Sequence, residues 1–157
     1  MNVTFTNENT KFNYRIVGVV IHNGKVLFQK PIQDKYWALI GGRCQLNEKS
    51  DDSIKREVLE EIDVKEVNVD RLLWVVENFF EFNGKKVHEI SLYYQISLGE
   101  NEKIYETEEF DGIEEGKNIK FKWFDLNELK SAPLKPDFIK DKLTNLSDNI
   151  EHFIVVE

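Results

Sequence analysis

The stretch Gly42–Val64 reads GRCQLNEKSDDSIKREVLEEIDV. Its second half has the period of a helix. Ile54, Val58 and Ile62 recur at i, i+4 and i+8, Leu59 lies beside them, and no Gly or Pro interrupts. Ser50, Asp51 and Asp52 offer cap candidates and acidic first-turn residues, which suit the positive end of a helix dipole. On a wheel of roughly 100° per residue the four apolar residues fall in an arc of about 140°, and Glu57, Glu60 and Glu61 in an adjoining arc of about 100°. One helix thus carries a core stripe and a carboxylate stripe side by side. Like charges three and four residues apart repel by roughly 0.2–0.5 kcal/mol per pair in water, and by more near a core, where the dielectric falls. Water with cationic neighbours would offset that cost. So would a hard, oxygen-seeking divalent cation such as Mg²⁺, Mn²⁺ or Ca²⁺. From these three glutamates alone, a solvated helix face and a metal site both stay open.

Upstream, YRIVGVVI (residues 14–21) reads as a buried strand. His22–Lys25 (HNGK) is an Asn-Gly turn, and VLFQK is the partner strand of a hairpin ended by Pro31. YWALIGG is a short strand that runs into Gly41 and Gly42, and a polar loop leads to the helix. Downstream, Val67–Phe82 is rich in β-branched and aromatic residues, and Asn83-Gly84 signals a second hairpin. Val87–Leu98 alternates. Ile90, Leu92, Tyr94, Ile96 and Leu98 share one face, and Glu89, Ser91, Tyr93, Gln95 and Ser97 form the polar one. Residues 99–118 are acidic and aperiodic and read as a long loop. IKFKWF is a strand, DLNELK starts a short helix, PDFIKDKLTNL reads as a helix with Pro136 in its first turn, and HFIVV is a terminal strand. The residues before Tyr14 read as a polar arm. Antiparallel strands, one central helix and C-terminal helices predict an α+β domain with a mixed sheet between helices.

The residues around the three glutamates decide between the two readings. Gly42, Glu48, Arg56, Glu57, Val58, Glu60, Glu61 and Val64 fall at the spacing of the Nudix box, G-x5-E-x7-R-E-U-x-E-E-x-G-U with U aliphatic. The stretch therefore resembles that family. Asp63 departs from the pattern, standing where the family has Gly. Asp tolerates the left-handed backbone of a helix end better than most residues, so a modest stability cost is expected there. Upstream, Ile40 replaces a frequent Pro and Asn47 a frequent Gly. The hairpin before the box, WALIGGR, ENFFEFNGKKVHEI and WFDLNEL extend the resemblance over most of residues 12–135.

The resemblance implies an α/β/α sandwich around a mixed sheet, occupying residues 1–157 as a single domain. It implies hydrolysis of a pyrophosphate bond in a nucleoside diphosphate linked to a group X, with Mg²⁺ or Mn²⁺. By analogy Glu57, Glu60 and Glu61 bind metal, with the Gly41 carbonyl as a further ligand, while Glu48 and Arg56 hold the loop and helix in register. The physics agrees. A pyrophosphate and a set of glutamates repel each other, and divalent cations bridge them, polarise phosphoryl oxygens and acidify a bound water. A carboxylate can take that water's proton. Which glutamate is the base is left open.

Gly42, Arg43, Glu77, His88 and Glu89 are candidates for holding substrate. Family members often supply a further carboxylate from a strand or loop, and Glu77 and Glu89 lie in the strands after the box. Glu106, Glu108 and Glu109 read instead as solvated. His88 could meet a phosphate, or could be a sheet histidine with an ordinary hydrogen bond. Trp37, Trp74, Phe79 and Phe80 could stack on a base, although core packing suits most of them. Cys44 has no matched histidine and no partner cysteine.

Charge narrows the partners. Over 157 residues the formal net charge is −8, which argues against a nucleic-acid duplex or an anionic membrane, both polyanions. The start lacks a basic segment followed by an apolar one, and IVGVVI is too short to span a bilayer. A cytoplasmic enzyme on a small-molecule nucleotide is expected. Family members are often homodimers. The alternative is a non-catalytic Nudix-like module that binds nucleotide for regulation. ADP-ribose, sugar nucleotides, nucleoside triphosphates and dinucleoside polyphosphates all fit the box equally well.

Overall fold

A computed structural model describes all 157 residues. In chain order the strands are β1 (Thr4–Asn7), β2 (Thr10–His22), β3 (Lys25–Pro31) and β4 (Ala38–Arg43). Helix α1 (Ser50–Ile62) follows, then β5 (Val67–Phe82), β6 (Lys85–Leu98), β7 (Glu109–Asp111), β8 (Ile119–Asp125), the one-turn helix α2 (Ile139–Lys142) and β9 (Glu151–Val156). The nine strands form one mixed sheet in the order β7-β8-β3-β4-β2-β6-β5-β9, with β1 paired to β2. Both hairpins turn as expected. Asn23 and Gly24 take φ of 50° and 75°, and Asn83 and Gly84 take 51° and 77°. Two successive positive φ values are what the right-handed twist of the flanking strands asks of a two-residue turn.

Alternation along β2 sorts the core into two layers. Ile16 and Val20 face α1 and pack with Ile54, Val58, Leu27, Ile40 and Phe121. Val17 and Val19 face the other way, toward Leu129, Leu134, Ile139 and Leu143. This is the sandwich expected, with thin helical cover on the second side. Ile54 and Val58 are wholly buried. Each contributes roughly 1.5–3 kcal/mol, several times the repulsion between two neighbouring glutamates, so the core stripe fixes how α1 lies. Leu59 is 40% exposed and belongs to the margin of that stripe. No helix is long and apolar enough to cross a membrane.

Several expectations change. The polar arm contains β1, because Thr4–Asn7 pairs with Thr10–Asn13 through backbone groups that need no apolar pattern. The acidic stretch holds a 3-10 turn (Lys103–Glu106) and β7, anchored by Phe110 stacked on Phe121. The segment after Asp125 is a 3-10 turn, Leu126–Ser131, in which the Asp125 carboxylate accepts from the Asn127 N–H. Residues 136–146 give only the four-residue α2. The supposed polar face of β6 is covered: Ser91 and Tyr93 are buried, because the second helical layer packs on that side.

Candidate active site

Two glycines permit close approaches here, Gly41 to β2 and Gly42 to α1. A Cβ at Gly41 would strike the Ile16 carbonyl across the β2–β4 ladder, and one at Gly42 would occupy the place of the Glu57 carboxylate. Gly42 is thus required by a close approach, and Glu57 lies against β4 because nothing stands there.

Arg56 organises the box. Its Nε and Nη2 donate to the two Glu48 carboxylate oxygens (2.7 and 3.0 Å), a bidentate pair. Nη2 also donates to the Arg43 carbonyl (3.1 Å), and Nη1 donates to Glu57 (2.9 Å) and Glu60 (3.2 Å). Glu48 additionally accepts from the Gln45 N–H (3.0 Å). The hydrogen bonds from Arg56, first among several causes, hold the Glu48 carboxyl down at about 2, and the same contacts push the Arg56 guanidinium up. Through these contacts the pair links the loop to the helix. Cys44 lies buried beneath the loop, and burial pushes its thiol up.

The two positions that depart from glycine in the family both take left-handed backbone. Asn47 has φ 63° and Asp63 has φ 56°. Asn and Asp are the side chains that enter this region most readily. The Asp63 N–H closes the helix by donating to the Leu59 carbonyl (3.1 Å). At the other end Lys49 is the N-cap and no side chain caps α1. Ser50, expected as a cap, instead meets the Tyr94 hydroxyl at 2.6 Å.

The three glutamates are not equivalent. Glu57 and Glu61 are 8% and 7% exposed, and Glu60 lies outward. Burial raises the Glu57 carboxyl, although Arg56 opposes it. Burial, then the charge of Glu57, pushes Glu61 up to about 8. Glu61 Oε2 is buried with no donor. Its surroundings come from the stretch before β8. The Ile113 N–H donates to the Glu61 carbonyl (2.9 Å), and Gly112, Glu114, Lys117 and Phe121 line a small crevice with the Glu61 side chain. Glu114, paired with Lys117 at 3.1 Å, is a neighbouring acid that sequence reasoning missed. It sits among many acids in an aperiodic run, so spacing carried no signal.

No three ligating side chains are drawn together at metal-holding spacing. The donor chemistry nonetheless fits a hard divalent cation. A buried carboxylate oxygen without a partner is costly, and here it is next to a second buried carboxylate. Glu61 and Glu57 are the residues that would hold the ion. Glu60 is tied outward to Arg56, and the Gly41 carbonyl lies in β4 opposite Val17.

The other candidates scatter. Glu89 is buried on the sheet face away from α1, where it accepts from Asn13 and Ser91 (3.3 Å each). Arg43 lies on that same face, directly opposite Arg15; Arg15, like Asn13, was not singled out from sequence. Glu77 pairs with His152 (2.7 Å) near the β9 edge, away from the box. His88 is stacked on Phe79 (ring centroids 4.5 Å apart), with Phe12 edge-on at 5.3 Å. This is an aromatic row of the sheet, and the box glutamates take no part in it. Trp37 and Trp74 are core residues. A cavity of about 240 Å³ is lined by His22, Tyr105, Trp123, Glu106 and Glu108, and includes none of the helix carboxylates.

The family model described as NUDIX domain matches residues 13–145. No curated protein matches the chain. Among solved structures, a NUDIX hydrolase from Nitrosomonas europaea is 15% identical with a TM-score of 0.62, covering 92% of this chain and 79% of that one. An ADP-ribose pyrophosphatase from Streptococcus suis is 16% identical (TM-score 0.58, 90% and 98% covered). A mutator MutT protein from Bacillus halodurans is 17% identical (TM-score 0.59, 88% and 85% covered). At these identities the structures establish likeness of fold, and the family model establishes membership: the chain belongs to the NUDIX family.

Proposed function

We propose that this Nudix enzyme hydrolyses a pyrophosphate bond in a nucleotide-type substrate and depends on Mg²⁺ or Mn²⁺. The observation that carries the reading is the buried Glu57–Glu61 pair beside the Gly41–Gly42 step, with one Glu61 oxygen lacking any donor. Likeness to an ADP-ribose pyrophosphatase from Streptococcus suis and a MutT protein from Bacillus halodurans supports the same class. Glu57 and Glu61 would hold the cation, with Glu60 and the Gly41 carbonyl as further ligands and Glu114 as a contributor from the crevice. When bound, such an ion screens the carboxylates from the phosphates and polarises a phosphoryl oxygen.

The chain's own residues then have separate tasks. Arg56 and Glu48 fix the loop against α1, so that the Glu57 carboxylate stays over Gly42. Arg15 and Arg43 present positive charge to phosphate oxygens. A ridge carboxylate accepts a proton from water as the water oxygen bonds to phosphorus. The bridging P–O bond breaks, and its electron pair leaves with the departing phosphate. One water is consumed and one anhydride becomes two phosphate groups.

A panel of nucleotides assayed with Mg²⁺ and with Mn²⁺, reading released nucleoside monophosphate or phosphate, tests this. Turnover that needs the metal and disappears in Glu57→Gln and Glu61→Gln is expected. A double variant with undiminished activity on the preferred substrate would overturn the reading.

A further inference from the structure

The chain has four arginines, and two of them are fully engaged. Arg56 holds three glutamates, and Arg71 donates to Gln95 and to the Ser147 carbonyl. Arg15 and Arg43 are different. They are direct partners on the β2–β4 ladder, both half-buried, and every ion pair that an arginine makes in this structure belongs to Arg56. Cross-strand partners stand about 5 Å apart at Cβ, and like charges placed so oppose folding. In a chain of net charge −8 there is no shortage of acids that could have neutralised them.

The pair does not stand alone. Alternation puts Lys11 on the same face of β2 as Arg15, about 13 Å further along at four residues' rise. Lys11 is close enough to Arg43 and to Lys85 for both to press its ammonium down, after burial, which acts first. At the other end, Arg15 is close enough to Glu57 and Glu61 to favour their charged forms. A cationic line therefore leads away from the box carboxylates along β2. On the strand beside the line the acid on this face is Glu89, engaged by Asn13 and Ser91, with Glu157 beyond the end of β9. Glu151, paired with Lys142, and Asp111, paired with Lys120, share the face with Glu109 but lie on the outer strands. Glu89 and Glu157 lie toward the β6–β9 side, and Thr4 and Thr6 of β1 flank Asn13 and Lys11 on the other.

We propose that this line receives a run of phosphates, so that the substrate is a nucleoside triphosphate or longer polyphosphate, not a nucleoside diphosphate joined to a neutral sugar. The proposal rests on the hydrolase reading above and narrows its substrate. A pyrophosphate flanked by neutral groups satisfies Arg15 and Arg43 and leaves Lys11 and Lys85 without use. A phosphate chain extending past the reacting bond meets all four.

Two measurements test it. In the first, kcat/KM is compared with Mg²⁺ for ATP, GTP and a dinucleoside tetraphosphate against ADP-ribose and UDP-glucose. Substrates with three or more phosphates should lead by about ten-fold or more, the scale of a lost charge-assisted hydrogen bond. Arg43→Met and Lys11→Met should erode that lead while sparing the sugar nucleotides relative to it. A preference for ADP-ribose or UDP-glucose, or equal losses on both classes, overturns the proposal. In the second, calorimetry without added cation compares binding of tripolyphosphate and pyrophosphate to the wild type, Arg43→Met and Lys11→Met. Tighter binding of tripolyphosphate that both variants abolish supports the line, and equal binding of the two anions refutes it. Lys11→Met keeps the test open should Arg43→Met fail to fold. If tripolyphosphate binds as expected and no nucleotide is turned over, the hydrolase reading fails and the anion site stands.

Discussion

At the Gly41–Gly42 step the two faces of the sheet carry opposite charge clusters, and they are handled differently. On the helix side Glu57, Glu60 and Glu61 crowd one turn, but Arg56 engages two of them and the hidden oxygen belongs to Glu61 alone. On the far side Arg15 and Arg43 oppose each other with no acid engaged. Both clusters resist folding. The carboxylate cluster is internally compensated except at one oxygen, whereas the guanidinium pair makes no ion pair and feels Glu57 and Glu61 only at longer range. Under the proposals above, the first would take a small ion at one atom, and the second a larger anion that spans two side chains.

The sharpest way to break this contrast is at Glu61. Glu61→Gln keeps the shape and removes the buried charge. Loss of activity should exceed the roughly 10–100-fold typical of residues that only support metal ligands. With a chelator and above about pH 8, where the buried carboxyl is ionised, the same variant should melt higher than the wild type, because a buried charge without a donor costs more than a neutral buried amide. Glu60→Gln should do neither to the same degree, since Glu60 is exposed. Steady-state kinetics and thermal melts of the two variants decide it. Equal behaviour would mean that burial does not distinguish the glutamates.

Next in size is the bidentate link that serves both faces, since Arg56 holds Glu48 and the Arg43 carbonyl at once. Glu48→Gln should cost about 10–100-fold in kcat/KM, as supporting residues do. It should also cost stability with a definite pH dependence. The Glu48 carboxyl is held at about 2 in the folded chain, against roughly 4.3 for a free glutamate. Its contribution is therefore fully present above about pH 4.3 and is lost as pH falls toward 2. Urea melts of wild type and variant across that window should differ near pH 6 and converge at the acid end. A constant difference would place the effect in packing instead of charge.

What could be read in advance follows from how local each feature is. The box residues from Glu48 to Glu61 lie in one loop and one helix, so their spacing is enough to show the resemblance, and the resemblance implies a link between Glu48 and Arg56. The approach of Glu57 to Gly42 comes only with the structure. The hairpins at Asn23-Gly24 and Asn83-Gly84 are equally local. The pairing of Arg15 with Arg43 depends on the register of strands 28 residues apart in numbering, and no periodicity within either strand reveals it. The burial of Glu89 escaped for a related reason. Alternation separates two faces but does not say that a second helical layer covers the one with polar residues. Strand β1 and the short α2 escaped because Thr4–Asn7 has no apolar pattern and Ile139–Lys142 is too brief to show a period.

The smallest expected effect tests the cationic side by itself. If Arg15 and Arg43 repel with nothing between them, Arg43→Met removes a like-charge pair and keeps most of the aliphatic stem. Folding should become more favourable by about 0.2–1 kcal/mol, the range for cross-strand pairs. The gain should shrink as salt is added, because the half-buried pair is then partly screened. Arg43→Lys, which keeps the charge, should gain little. Tripolyphosphate at millimolar concentration should reverse the order, since it stabilises only chains that bind it. Chemical denaturation of the three proteins at two salt concentrations, with and without tripolyphosphate, reads all of these. A wild type more stable than Arg43→Met at low salt without the anion would show that the pair is already neutralised within the chain. The two faces would then be alike in being internally compensated.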